Sequence, residues 1–167
     1  MTLVATSWLG CASSPPPSPA AAPRKIPEAM RMPEKPKHRA VGRTDVQSYL
    51  PTTFDEPAEG PTLVEVQLTE TFSGDIQGEG TGRVIQAMRR DRSATFAGIE
   101  RVRGSIGGRK GTFLLQVRGT VVAKEMHAEW FVVPGSGTGE LAALRGDGGF
   151  TAELGQHGSI WLDYFFE

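Results

Sequence analysis

The chain has 167 residues, a formal net charge of −1 and a single cysteine, Cys11. This length suits one domain with a well-buried core, and one cysteine excludes an internal disulfide. No apolar run reaches the ~18–20 residues needed to span a bilayer as a helix.

The charge is divided unevenly along the chain. Up to Ala40 there are six Lys and Arg residues against two Asp and Glu, whereas the remainder has twelve against seventeen. A basic segment therefore precedes an acidic body. We expect no nucleic-acid partner, because a nucleic-acid-binding domain normally carries its cations on the folded face.

The first forty residues are predicted to be a disordered segment, separate from a single domain over residues 41–167. Eight of the twelve prolines lie before Val41, and residues 12–23 are almost entirely Ala, Ser and Pro. Proline fixes φ and lacks a backbone donor, so this stretch favours extended, solvated polyproline II. Such a composition is typical of a tether or linker.

The residues Leu9-Gly10-Cys11 resemble the end of a bacterial lipoprotein signal peptide, with Cys11 as the lipid-bearing residue. A Ser/Pro-rich tether after the cysteine fits that interpretation. Trp8 and the lack of a basic region before the apolar stretch depart from it. The alternative is an N-terminus with an incidental thiol. The first interpretation predicts a cell-envelope protein that meets the membrane through Cys11, and the second a cytoplasmic protein.

From Val41 onward the apolar residues recur with period two, which predicts strands. In residues 62–72, for example, Val64, Val66, Leu68 and Phe72 share one face. The predicted strands cover residues 42–49, 62–72, 81–90, 96–103, 113–117, 126–133, 150–154 and 160–166.

Short turn signals separate these strands, among them Ser73-Gly74-Asp75, Arg90-Asp91-Arg92 and Gly107-Gly108-Arg109. Sequential strands with short connections form an antiparallel meander. About eight such strands can close into a barrel whose interior holds side chains or one small ligand. We therefore predict an all-β, antiparallel barrel.

The Gly-rich stretch Val133–Phe150 is predicted to turn a sheet corner and plug one end of the barrel. Glu140 to Leu144 suits a single helical turn that begins near Thr138 or Gly139 and ends at Gly146 with a positive φ. The glycine spacing does not predict phosphate binding, because a dinucleotide fingerprint needs a longer helix within a βαβ unit.

Several segments resemble an uncharacterised bacterial domain-of-unknown-function family related to the allene oxide cyclase and dirigent-type barrels. The resemblance covers about residues 40–167 and is carried by residues 71–75, 96–101, 111–116, 130–149 and 162–167. It implies an eight-stranded barrel. Plant relatives guide cyclisation of an unstable epoxide or coupling of phenoxy radicals, but their catalytic residues have no matching positions here. Val117 replaces a histidine that is common in the family.

Glu100 is the carboxylate of greatest interest, because it shares a face with Phe96 and Val102. A carboxylate there must find a partner or be protonated. It is a candidate general base or ligand anchor. The alternative is a structural ion pair with a neighbouring arginine: Arg101, Arg103 or Arg118.

Five further residues are candidates for contacting a ligand in the barrel, because each places a polar head or an aromatic ring on a strand. They are Gln86, Phe96, Gln116, Trp130 and Tyr164. The alternative is that the polar groups are satisfied core or surface side chains and that Trp130 is a large core residue. Trp161 alternates with Ile160 and Leu162, so it is expected to face outward.

Glu125, His127 and Glu129 share one strand face, a spacing that could bind a divalent metal. Because no convergent ligand can be named on another strand, an exposed polar face is the favoured interpretation, and we expect neither a metal nor a cofactor. The sole thiol, Cys11, lies in the leading segment, and no Ser-His-Asp or Cys-His arrangement can be built.

Three functions are consistent with these patterns. The favoured one is a barrel that binds a small hydrophobic molecule in its interior. The second is an isomerase or cyclase that acts on a hydrophobic substrate through Glu100. The third is an interaction module that forms homo-oligomers through an outward apolar patch, with Trp161 and Phe165 as candidates.

Overall fold

The computed structural model describes residues 37–167. The predicted disorder before residue 37 and the predicted lipidation of Cys11 lie outside these residues. Residues 38–40, which were assigned to the same segment, belong to the first strand. Among the described residues, no helix has the length and apolar character needed to cross a bilayer.

Eight antiparallel strands, each paired with its neighbours in the sequence, form a closed barrel in the order β1 to β8, with β1 also paired to β8. The prediction of an eight-stranded antiparallel barrel is confirmed. The strands are β1 His38–Asp55, β2 Thr62–Gly74, β3 Ile76–Met88, β4 Ala94–Ile106, β5 Arg109–Val122, β6 Glu125–Val132, β7 Leu144–Glu153 and β8 Gly158–Phe166.

The period-two pattern places alternate residues inside the barrel. In β2, Val64, Val66 and Phe72 are buried, while Gln67 and Thr69 between them are exposed. The strand register extends each inner position around the wall, so that Val66 lies level with Val84, and Val84 with Gly98. Burial of these apolar faces forms the core of the barrel.

Most strands begin earlier than the sequence pattern predicted, and the difference is largest for β3 and β7, whose first halves contain glycines. β3 begins at Ile76 and includes Gly80, while β7 begins at Leu144 and includes Gly148. Both glycines leave room for a large neighbour. A Cβ at Gly80 would collide with the Glu100 carboxyl group, and one at Gly148 would lie 2.6 Å from the Trp130 indole nitrogen.

One end of the barrel, here called the plugged end, is filled by apolar side chains. They are Ile76, Ile106, Phe113, Leu141 and Leu144, all of which are almost completely buried. Leu141 is supplied by the Gly-rich stretch, which forms a single 3₁₀ turn over Gly139–Leu141. The expectation that Gly146 would end this turn is wrong: the turn ends at Ala142, and Gly146 is paired with Tyr164 inside β7 and β8.

The same stretch also covers a strand edge. β6 pairs with β5 only from Leu115 onward, so the first half of β5 needs other acceptors for its amide groups. Three side chains at alternate positions supply them. Lys110, Thr112 and Leu114 donate their backbone N–H groups to Glu140 Oε2 at 2.9 Å, Thr138 Oγ1 at 3.0 Å and Ser136 Oγ at 3.0 Å, respectively. An uncovered edge would be a site for unwanted strand pairing.

The opposite end is open on one side. β1 pairs with β8 as far as Thr44, opposite Gly158. Beyond a register shift between Val46 and Ser48, β1 continues to Asp55 in pairing with β2. Its inner face there is therefore not covered by a facing wall, and Val46 is 56% exposed. We call the inner-facing residues Val46, Tyr49, Leu68 and Gln86 the open mouth.

Candidate functional site

Two acidic side chains, Glu70 on β2 and Glu100 on β4, meet on the inner face of the barrel. They are 8% and 6% exposed, respectively. β3 lies between their strands, and its inner positions at this level are Gly80 and Gly82. Because these glycines carry no side chain, Glu100 extends across β3, with its carboxyl group over Gly80.

The two carboxyl groups lie close enough for one to hydrogen-bond the other, which requires one of them to be protonated. Burial raises the pKa of Glu100 well above its ordinary value, and the charge of Glu70 and the hydrogen bond to it raise this pKa further. Burial also raises the pKa of Glu70, although the hydrogen bond from Glu100 and the nearby Thr44 hydroxyl lower it in part. Burial therefore opposes ionisation of both carboxyl groups, and more strongly that of Glu100 than that of Glu70.

No cationic side chain offsets a negative charge on either carboxyl group inside the described part of the barrel. Within residues 37–167, every Lys, Arg and His side chain is at least partly exposed. The sequence alternative of an ion pair between Glu100 and an arginine is therefore wrong, since Arg101, Arg103 and Arg118 are all exposed on the outer wall. Strand alternation places these arginines and Glu100 on opposite faces.

A third polar group, the hydroxyl of Thr44, lies beside the pair. Thr44 is 6% exposed, and its Oγ1 atom has no hydrogen-bond partner. It is close enough to Glu70 to lower the pKa of that carboxyl group, and Glu100 Oε1 is likewise buried without a regular hydrogen-bond partner. Buried polar atoms are rarely left unpaired, so this hydroxyl and the carboxyl pair form a polar cluster that is incomplete without a further group.

The polar cluster lies next to the open mouth. Val46, opposite Glu70 in the β1–β2 register, is the exposed residue nearest to it along β1. Farther along, the Tyr49 hydroxyl bonds Gln86 Oε1 at 3.1 Å and thereby joins β1 to β3 across the inner face of β2. A molecule entering where β1 leaves β8 would meet apolar surface first and the carboxyl pair behind it.

Four aromatic rings lie across the lumen on the other side. Phe72 and Trp130 have centroids 6.4 Å apart, Trp130 and Phe150 5.4 Å, and Phe150 and Phe96 6.5 Å. The indole N–H of Trp130 donates to the backbone oxygen of Trp161 at 3.1 Å. These rings come from β2, β6, β7 and β4, so they connect opposite walls and fill the lumen at their level.

The five predicted ligand-contacting residues do not converge on one site. Gln86 belongs to the open mouth, and Phe96 and Trp130 belong to the aromatic cluster. Gln116 is exposed on the outer wall, and Tyr164 lies at the plugged end, where its hydroxyl is close to Gly107. Sequence reasoning listed Val64, Val66, Leu68 and Phe72 as one face of β2 but passed over Glu70, which lies between them on the same face.

The outer wall carries a groove of about 560 Å³. Its lining includes Gln116, Arg118, Glu129, Phe131, Asp147 and Trp161. Trp161 faces outward, as the sequence pattern predicted, and the Arg39 guanidinium lies over its ring at 5.0 Å from the centroid. The groove has exposed aromatic surface but, unlike the open mouth, lies apart from the buried carboxyl pair.

Glu125, His127 and Glu129 also lie on the outer wall and are exposed. His127 Nε2 is 3.5 Å from Glu125 Oε2, whereas Glu129 pairs with Arg118 at 2.8 Å. No group of three or more metal-ligating side chains occurs among residues 37–167.

Residues 40–164 match the model of a family described as a protein of unknown function, DUF3224. The chain belongs to this family. A crystal structure of a DUF3224 protein of unknown function from Shewanella oneidensis MR-1 is 30% identical, with a TM-score of 0.67 over 78% of this chain and 98% of that one. No curated protein matches.

DUF3224 membership agrees with the expected domain-of-unknown-function family, and the Shewanella oneidensis protein shows the same kind of fold in an experimental structure. The expected relationship to allene oxide cyclase and dirigent-type barrels stays a prediction.

Proposed function

We propose that this DUF3224 barrel binds a small hydrophobic molecule through the open mouth, with its polar group on Glu70, Glu100 and Thr44. The observation that carries the proposal is the incomplete polar cluster, in which a buried hydroxyl without a partner lies beside a buried carboxyl pair. A few convergent polar groups behind an apolar entrance are typical of small-molecule sites.

The aromatic cluster defines the inner limit of this site. Because Phe72, Trp130 and Phe150 fill the lumen, the ligand lies between them and the exposed inner face of β1. The predicted binding site in the barrel interior is thus narrowed to one end, and Gln116 and Tyr164 are not part of it.

Titration with the neutral fluorescent probe N-phenylnaphthylamine tests the proposal. We expect saturable binding that weakens at least tenfold in Leu68→Gln, which places an amide in the open mouth. Leu50→Gln is the matched control, because Leu50 is exposed on the outer face of the same β1–β2 hairpin. Phe131→Gln tests the outer groove. Absence of saturable binding, or a loss confined to Phe131→Gln, would overturn the proposal.

A second candidate is proton transfer to the bound molecule, as expected for an isomerase or cyclase. The coupled carboxyl pair favours it, since environments that separate two pKa values assign an acid and a base. The roles differ from the sequence hypothesis, in which Glu100 was the base. Glu100 holds the proton and is the acid, and the Glu70 carboxylate is the base. Allene-oxide-cyclase-like activity belongs to this candidate.

Deuterium exchange separates binding from proton transfer. The protein is incubated in D₂O with a small-molecule extract of its host, and the extract is analysed by mass spectrometry. Proton transfer predicts a metabolite that gains deuterium with the wild type and with Glu79→Gln, an outer-face control, but not with Glu100→Gln. If exchange is the same with Glu100→Gln, this candidate is wrong.

The third candidate, homo-oligomer formation, is supported by the apolar outer wall and by the uncovered part of β1. Leu50 and Phe54 are 61% and 56% exposed, and residues 45–55 have no partner strand on the β8 side. Light scattering with size-exclusion chromatography at several concentrations tests it. A monomer throughout would remove this candidate.

A further inference from the structure

The polar cluster contains two buried acidic side chains and no basic one. If either Glu70 or Glu100 ionises, its negative charge has no buried cationic side chain of residues 37–167 facing it. A buried charge without a partner is costly. A ligand that brings a positive charge would remove that cost, whereas a carboxylate ligand would increase it.

The hydrogen-bonding groups of the cluster also favour a positively charged ligand. The Glu70 carboxylate and the second oxygen of Glu100 are acceptors, and Thr44 Oγ1, without a partner, can accept as well. A primary ammonium group has three donors and no acceptor. Each of its three N–H groups can therefore donate to one of the three acceptors, and none of them faces another donor.

Aromatic surface borders the cluster. A Cβ built at Gly80 would lie 2.8 Å from Phe72 Cε2 and would collide with the Glu100 carboxyl oxygen, so the ring edge and the carboxyl group lie on the same small patch. Trp130 lies behind Phe72. These rings provide apolar surface for the hydrophobic body of a ligand whose polar group reaches the carboxyl pair.

On this basis we infer that the ligand of the open mouth is a primary amine with a hydrophobic body, bound as its ammonium ion by Glu70, Glu100 and Thr44. The inference rests on the proposed function and specifies its ligand class. A divalent cation is disfavoured, because Ca²⁺ takes ~6–8 oxygen ligands and Mg²⁺ about six, whereas this cluster offers two carboxyl groups and one hydroxyl.

Calorimetric titration with three compounds of one body tests the inference: phenethylamine, phenethyl alcohol and phenylacetate. At about pH 8, where a Glu with an ordinary or moderately raised pKa is ionised, we expect phenethylamine to bind at least tenfold more tightly than phenethyl alcohol. Phenylacetate should bind most weakly. Magnesium chloride serves as the metal arm and should give no saturable heat.

Single substitutions test which side chains cause the preference for the amine over the alcohol. Glu70→Gln should remove the preference for the amine over the alcohol. Thr44→Val, which removes the hydroxyl at constant shape, should weaken the amine severalfold. Glu79→Gln on the outer face of β3 should leave the preference intact. Thermal unfolding of each variant identifies any that fails to fold, and Thr44→Val then replaces Glu70→Gln as the test.

The preference should also depend on pH. As the pH falls and Glu70 takes up a proton, the site loses its charge and the advantage of the amine should disappear. The titratable side chains on the inner face are Glu70 and Glu100 in the cluster, Tyr49 on β1, and His38 and Tyr164 at the plugged end.

Two failures can be told apart. Equal binding of amine and alcohol, an amine preference that survives Glu70→Gln, or tight binding of magnesium would overturn the ammonium inference. If N-phenylnaphthylamine still binds and Leu68→Gln still weakens it, the proposed function remains. If that probe also fails to bind, both are wrong.

Discussion

The plugged end and the open mouth of the barrel differ in the kind of side chain that each one buries. At the plugged end, the apolar side chains are fully buried and the backbone donors of β5 have acceptors from Ser136, Thr138 and Glu140. At the open mouth, apolar side chains are exposed while carboxyl groups and a hydroxyl are buried. The comparison teaches that stability is concentrated at one end, which allows the other to hold groups that oppose folding.

The largest expected effect is at the plugged end. Leu141→Ala should lower the free energy of unfolding by about 2–5 kcal/mol, because it leaves a cavity under the 3₁₀ turn. Leu50→Ala, near the mouth but exposed on the outer face, should change it by less than about 0.5 kcal/mol. Urea unfolding of both variants measures the difference. Similar losses would contradict the division between the two ends.

The edge cover of β5 gives the next effect. Thr138→Val removes the Oγ1 acceptor of the Thr112 N–H at nearly constant volume and should cost about 1–3 kcal/mol of unfolding free energy. Thr81→Val, on the exposed outer face of β3, is the control and should be nearly neutral. The same urea experiment applies. A neutral Thr138→Val would mean that water replaces the hydroxyl without cost.

The carboxyl pair should make stability depend on pH in an unusual direction. Because the pKa of Glu100 is raised in the folded state, the folded protein holds a proton that the unfolded chain releases above about pH 4.3. The stabilising contribution of this proton is therefore complete below that pH and is lost as the pH rises through the folded pKa.

Glu100→Gln removes this contribution together with its coupling to Glu70, while the carboxyl groups outside the pair titrate alike in both proteins. As the pH rises, the wild type should lose unfolding free energy relative to Glu100→Gln, measured by urea unfolding over a pH series. Glu79→Gln should run parallel to the wild type. If the unfolding free energy of the wild type instead rises relative to that of Glu100→Gln as the pH increases, Glu100 is ionised and favourably paired in the folded state.

The smallest expected change in stability comes from the hydrogen bond between Tyr49 and Gln86 in the open mouth. Tyr49→Phe removes the hydrogen bond to Gln86 and should cost about 0.5–1.5 kcal/mol. Because this bond joins β1 to β3, amide exchange should accelerate in residues 45–55 of β1 more than in β5. If amide exchange accelerates equally in β1 and β5, the open mouth does not unfold independently of the rest of the barrel.

Part of the site was readable in the sequence. Glu100 was identified because it alternates with Phe96 and Val102, and the same alternation could have identified Glu70 between Leu68 and Phe72. Their pairing was not readable, because it depends on Gly80 and Gly82 at the matching positions of β3. Thr44 and Tyr49 could not be identified as site residues from the sequence, because they lie in a strand whose sequence is largely polar.

The sequence by itself determined the strand count, the antiparallel order and the outward position of Trp161, because alternation and turn residues are local properties of the chain. The tertiary structure alone decided which glycines are turns and which leave room for Glu100 or Trp130. It also decided that β1 continues past β8 and that two carboxyl groups meet inside the barrel. Each of these depends on what lies opposite a residue across the barrel, and sequence period does not carry that information.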